Sequence, residues 1–204
     1  MTILSQGSMS NPLSRKIMVE VKVTNETGWT RALNAARRTI GKEPLDKEPS
    51  REFKLRSLYA EHSHIKLVEY LVQFKALRQW VGVHLLRHPF ILPFIHSQRA
   101  DRRNNPVPRD EMAQGSLNDQ DFVINAQTMI NISRKRLCGC ASPETREAWK
   151  AVKAEVEKID PEMAQVMVRQ CVYRGFCPEM KCCGFCRTPE YVKELEAYRN
   201  GIPR

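Results

Sequence analysis

The chain has 204 residues, enough to bury one sizeable core, and 42% hydrophobic with 27% charged residues is the balance of an ordinary globular domain. No run of about 18 apolar residues occurs, so no membrane-spanning helix is expected. The formal charge is +10, and the basic residues recur at 35–38, 87–109 and 134–136 instead of filling one tail. That pattern points to an anionic partner (nucleic acid, a nucleotide or a phosphorylated cofactor), with a merely basic surface as the alternative.

The first 15 residues are polar and lack the apolar core of a secretory signal, so they are expected to be a loose leader on a cytoplasmic protein. "KIMVEVKVT", Lys16 to Thr24, alternates apolar and polar residues and predicts a strand. A helix follows from Trp29 to Ile40, ended by Gly41. "EPLDKEPSRE" reads as a loop because of its two prolines. The next stretch predicts a strand near 65–75 and a helix near 76–87. "LLRHPFILPFIHSQRADRR", Leu85 to Arg103, sets arginines and histidines around an apolar run, either a strand with solvated ends or an anion site. The polar segment to about residue 118, with Pro106, Pro108 and Gly115, is a long loop. "DQDFVINAQTMINISRKRLC" is expected to be one helix with Asn118 or Asp119 as N-cap. Ser142-Pro143-Glu144 and Asp160-Pro161 are two further helix starts, the second helix running to Gly175. A turn-rich segment and a short final helix end the chain.

"NAQTMINISRKR" carries polar residues where a core helix should not. With Asn125 at 0° and 100° per residue, Thr128, Asn131 and Arg136 fall with it inside an arc of about 140° that also holds Ile and Met side chains. Buried amides need partners. Such a face suits a planar polar ligand, or else a subunit interface.

Two stretches taken together resemble the flavin-dependent thymidylate synthases. The family signature R-H-R-x-x-S-x-N-E-x-S-x-R is met at Arg87, His88, Ser97 and Arg99 without a gap. A second family stretch, N-A-x-[ST]-[LM]-x-N-x-x-x-x-R, is met at Asn125, Ala126, Thr128, Met129, Asn131 and Arg136. Upstream, "EHSHIKLVEYLVQF" is similar to a third family element, with Ser63 in the hydroxyl position. The resemblance spans residues 55–150 in the right order. Pro89, Leu92, Phe94 and Ile95 stand where the signature has Arg, Ser, Asn and Glu, His84 stands for a substrate-contacting glutamine, and the segment between the two motifs is short. Only Arg102, Arg103 and Arg109 are there to replace a phosphate-binding arginine that the family carries in it. The chain thus resembles a divergent, compact member of the kind carried by phage or prophage.

The resemblance implies an α+β fold, a central mostly antiparallel sheet flanked by helices, in a homotetramer with shared active sites. Residues 16–170 would form the domain, with 171–204 packed on it. It implies methylation of dUMP to dTMP, with methylenetetrahydrofolate as carbon donor and FAD, reduced by NADPH, as hydride source. Ser63, Arg87, His88, Asn125 and Asn131 would then face the flavin; His84, Ser97, Arg99 and Arg136 would hold the nucleotide; Arg136 and His88 would serve the chemistry. The motif replacements leave open a flavoenzyme making another C5-modified pyrimidine, such as a hydroxymethyl product, or a family member without catalysis. A nucleic-acid-binding protein is the other alternative, disfavoured because no helix-turn-helix, RNA-binding sheet signature or finger spacing is present.

Seven cysteines, odd in number and without a secretory signal, argue against a disulfide framework. Five lie between 171 and 186. Packed thiols with no metal are the main expectation; a structural zinc on Cys171, Cys177, Cys183 and Cys186 is the lesser one.

Overall fold

In the computed structural model, residues 19–99, 101–102 and 107–203 are described; the leader, the start of the first strand and Arg103 lie outside them. Strand β1, Glu20–Asn25, buries Val23 and exposes Glu20 and Lys22, as its alternation requires. Helix α1, Thr30–Thr39, follows, with the chain leaving it through Gly41 at φ +68°.

A second helix, α2, Arg51–Tyr59, replaces part of the expected loop. The two prolines hid its signals: the Ser50 hydroxyl accepts from Phe53 N–H at 3.2 Å, and Glu52 pairs with Arg56 one turn on.

A 3-10 turn, Ser63–Leu67, leads into strand β2, Glu69–Arg78, and helix α3, Gln79–Leu85. Both were expected, with the strand running later than predicted. An irregularity at Ala76, φ 56°, carries β2 on past residue 75, and Asp119 Oδ1 accepts from its N–H at 3.0 Å. Strand β3 is Ile91–Ile95.

The expected helix from 119 to 138 is corrected. Its first half is strand β4, Leu117–Asn125, and only Ala126–Arg136 is helix α4. Gln120, Phe122 and Ile124 are buried in alternation, a period of two that "DQDFVIN" displays. The true N-cap is Asn125, whose Oδ1 accepts from Thr128 N–H at 2.9 Å.

Helix α5 is Pro143–Ile159. The expected single helix from 160 to 175 is broken into α6, Pro161–Val166, and α7, Gln170–Arg174. Val166, Met167 and Val168 are all buried, and three consecutive side chains cannot share one helix face. Helix α8, Pro189–Asn200, ends the fold.

The four strands form an antiparallel sheet in the order β1-β2-β4-β3. One sheet face, with Val23, Val72, Phe74, Phe122 and Ile124, packs into the core with Trp149, Val152 and Val156 of α5. The other face carries a cross-strand row of Leu71, Val123 and Leu92, with Phe94 62% exposed beside it on the edge strand. Together with the eight α-helices among the described residues, this is the mixed α/β architecture expected. The tail packs on the same body: Tyr59 reaches both apolar clusters, and its hydroxyl donates to Tyr198 O at 2.9 Å. Among the described residues, no helix is long and apolar enough to cross a membrane.

Candidate functional site

The connection from α3 to β3 is fixed to α4 and α5 by side chains that the sequence had singled out. Arg136, the last residue of α4, donates through Nη2 to His84 O at 2.7 Å. Thr128, one turn into the same helix, donates to Pro89 O at 3.2 Å. The His84 ring meets Thr145 of α5 at 3.0 Å through Nδ1. His88 N–H caps Leu85 O at 3.0 Å, and Phe90 turns the chain into β3 at φ 61°. A left-handed phenylalanine costs on the order of 1 kcal/mol, and it persists because the strand pairing after it and the bonds before it fix both ends.

Four nitrogen-bearing side chains therefore gather where α3 and α4 end: His84, Arg87, His88 and Arg136. Their mutual fields show in their acidities. Burial first, then the Arg87 charge, lowers the Arg136 pKa. Burial, then Arg136 and Arg87, lowers that of His84. Burial, with Arg136 and Lys135 beside it, takes His88 from an ordinary 6.5 down to about 4. Neither Arg87 nor Arg136 has a carboxylate in an ion pair among the described residues, whereas Arg134 is paired with Glu61 and Lys135 with Glu179. Two buried polar atoms here lack a hydrogen-bond partner, Arg136 Nε and His88 Nε2. An uncompensated cationic cluster with unmet polar atoms is built to receive an anion that can also hydrogen-bond.

His88 gives a pH prediction. The unfolded chain takes up its proton near 6.5 and the folded chain only near 4, so the contribution is complete above about 6.5 and is lost as the pH falls toward 4. Urea midpoints measured at pH 7 and pH 5 are expected to fall further for the native chain than for His88→Gln. Equal falls would show that His88 is not the group responsible.

Ser97 and Arg99 lie elsewhere. They follow β3, a five-residue strand roughly 16 Å long that separates them from Arg87 and His88. Arg99 is exposed and forms a two-point pair with Asp101 at 2.9 and 2.6 Å, while its N–H donates to Ser97 Oγ at 3.3 Å. An arriving phosphate has to displace Asp101 from this fork. The open groove nearby, about 390 Å³, is lined by Phe94, Ile95, His96, Asp119 and Asp121. Its two carboxylates oppose an anion, so the groove is not the anion site.

The remaining predicted residues divide. Asn125 uses its side-chain oxygen to cap α4, and Asn131 lies half-buried on that helix. Ser63 is exposed at the start of its 3-10 turn. The corner before it is tied to α4 by Glu61, which accepts from Gln127 at 2.5 Å and pairs with Arg134. Arg102 and Arg109 are exposed on the long loop. Sequence reasoning missed Glu61 and Thr145, whose partners lie 73 and 61 residues away. It also grouped the cysteines differently: the sulfurs of Cys171, Cys177, Cys183 and Cys186 do not meet at one point among the described residues.

No family model matches the chain, and no curated protein matches it in sequence. Solved structures do resemble it. The UMP/dUMP methylase PolB from Streptomyces cacaoi, bound with 5-Br dUMP, superimposes with a TM-score of 0.58 at 11% identity, over 78% of this chain and 95% of that one. Thymidylate synthase X from Helicobacter pylori, with FAD and dUMP, gives 0.57 at 14% identity, over 72% and 97%. A further structure of that flavin-dependent enzyme, complexed with FAD and dUMP, gives 0.59 at 14%, over 74% and 100%. At such identities the likeness is one of backbone. The alignments take in nearly the whole of each solved chain and about three quarters of this one, and the chain has the fold of the flavin-dependent thymidylate synthases.

Proposed function

We propose that this protein is a flavin-dependent enzyme that adds a one-carbon group to C5 of a deoxyuridine nucleotide, in the first reading methylating dUMP to dTMP. The observation that carries it is the cluster of His84, Arg87, His88 and Arg136, with two unmet buried polar atoms, at positions matching the family motifs. The solved relatives with dUMP or FAD bound support the ligand classes. Methylenetetrahydrofolate as carbon donor and NADPH as reductant follow from the family resemblance.

The residues present fit such ligands. Arg87, exposed and unpaired by acid, is placed to meet a cofactor phosphate. His88, held neutral by burial, offers Nε2 to a ring carbonyl or ring N–H according to its tautomer. Arg136 is oriented by its bond to His84 O, which leaves Nε for the pyrimidine. There a fixed positive charge stabilises negative charge building on the C2 and C4 carbonyls as C5 attacks the carbon donor. Bound there and reduced, FAD would supply the hydride that completes the new methyl group. Asn131 on the same helix would line the ring pocket, as would Asn125 with the part of its amide that the cap leaves over, and Ser63 stands near its rim.

Ser97 and Arg99 cannot reach the Arg136 cluster within one chain if one nucleotide bridges both. A second copy supplies the missing half. The apolar row runs from half-buried Leu71 and Val123 to exposed Leu92 and Phe94 on the edge strand, whose Pro93 lacks an N–H to offer another strand, and it suits face-to-face association. A homotetramer with shared sites fits that surface.

A second reading is favoured by one observation. Leu92, Phe94 and Ile95, where the family signature is polar, are exposed side chains of β3 and not core residues. A changed surface there favours a related C5 product such as hydroxymethyl. Purified protein is expected to be yellow, or to become so with FAD, and its flavin absorbance to bleach with NADPH. Failure to bind FAD overturns the proposal. Growth of a thymidine-requiring strain carrying this chain separates dTMP formation from a variant product.

A further inference from the structure

Six of the seven cysteines come together in two threes. The sulfurs of Cys138, Cys140 and Cys183 lie within 4.8 Å of one another, and so do those of Cys177, Cys182 and Cys186. The first three join the turn after α4 to the tail; the second three close the tail on itself.

Three sulfurs converging on one point is a metal's arrangement. A disulfide needs two and leaves the third over. In a tetrahedral zinc site, Zn–S bonds of about 2.3 Å place the sulfurs about 3.8 Å apart. Cys182 and Cys186 are already 3.4 Å apart. The backbone serves the sulfurs as well: Cys140 N–H points at Cys138 Sγ at 3.5 Å, and Gly184 N–H at Cys182 Sγ at 3.3 Å. An N–H so placed can donate to a metal-bound sulfur. Gly139, between Cys138 and Cys140, leaves little room for a side chain, because a Cβ there would stand 3.0 Å from Cys183 Sγ. Gly184, at φ +86°, makes the turn that sends Cys183 to one group and Cys186 to the other. Three thiolates on a divalent ion carry a net negative charge, and Arg146, which donates to Gly139 O at 3.4 Å, lies beside the first group.

We propose that each group of three cysteines binds one Zn2+ as thiolates, with the fourth position taken by water or an added donor. Each thiol gives up its proton to solvent as the metal enters. Cys138 lies two residues after Arg136, so the first ion pins the end of α4 that carries the cationic cluster.

The test is elemental analysis of the full chain purified without chelator, with Co2+ titration as an optical probe. The expected content is about two zinc ions per chain, each site filled by three thiolates. Cys140→Ser and Cys186→Ser are each expected to lose one, and Co2+ to give an intense thiolate charge-transfer band in the native chain. Absence of both zinc and that band overturns the proposal, as does undiminished zinc in both variants. A native content of only one ion, abolished by either substitution, overturns the two-site assignment. Should a serine variant not fold, the Co2+ titration of the native chain decides alone, saturating at about two equivalents or giving no band. None of these readouts depends on flavin or nucleotide binding.

Discussion

Arg136→Ala is expected to weaken dUMP binding at least tenfold, measured by calorimetry on the FAD-loaded protein. The guanidinium makes one bond inward, to His84 O, and keeps a buried Nε without a partner. A hydrogen bond from a charged donor contributes about 1.5–3 kcal/mol, which is roughly ten- to a hundredfold in affinity. The alanine variant also leaves His84 O without its donor, so the end of α3 loosens and the loss exceeds that of one contact. Arg136→Lys discriminates between charge and geometry. Lysine keeps the charge but, with all its donors on one nitrogen, cannot reproduce the separated Nη2 and Nε positions that face His84 O and the ring. It is expected to recover little of the binding. Full recovery by lysine would reduce Arg136 to a point charge, and unchanged affinity in the alanine variant would remove the cluster as the nucleotide site.

The site was legible in the sequence to the extent that it lies on local patterns. Arg87-His88 and the Thr128, Asn131, Arg136 series keep a spacing that survives without the rest of the motif, and in the fold His84, His88 and Arg136 lie near one another. What the sequence could not give is the partner across space. Thr145 is an ordinary first-turn threonine until His84 packs on it. Cys138 and Cys140 look unrelated to the tail until the chain returns some 40 residues later. The fold shows the same divide. The starts at Ser142 and Asp160 are real N-caps because a cap is a local bond. Strand β4 was read as helix because it runs into α4 with no Gly or Pro between, and only its pairing with β2 and β3 makes it a strand. The break at Val166–Val168 is likewise set by burial of consecutive side chains, which no turn residue announces.

Asp160 is expected to carry the largest single contribution to stability among the polar side chains described. The sequence marked it as a helix cap, and it is one, accepting from Met163 N–H at 3.1 Å through Oδ1. Its other oxygen accepts from Trp29 Nε1 at 2.6 Å and from Tyr70 OH at 2.7 Å. Trp29 and Tyr70 are 1% and 0% exposed, so neither donor has water to turn to. One carboxylate thus ties the start of α1, the start of β2 and the start of α6. Asp160→Ala leaves three donors unmet, at about 1–3 kcal/mol each if nothing relaxes, and a loss of about 3–5 kcal/mol is expected. In a domain of this size that lowers the melting temperature by about 10 °C. Asp160→Asn is nearly isosteric yet is expected to be almost as damaging. Only one of its two positions accepts, so either the helix cap or the Trp29 and Tyr70 pair meets an N–H instead of an oxygen. Urea denaturation with an unchanged slope measures the loss, and an asparagine variant within about 1 kcal/mol of the native chain would refute the assignment. Adding Tyr70→Phe to the asparagine variant removes one of the stranded donors, so the double variant is expected to cost less than the two single changes together. That non-additivity distinguishes a shared hydrogen-bond network from three separate contacts.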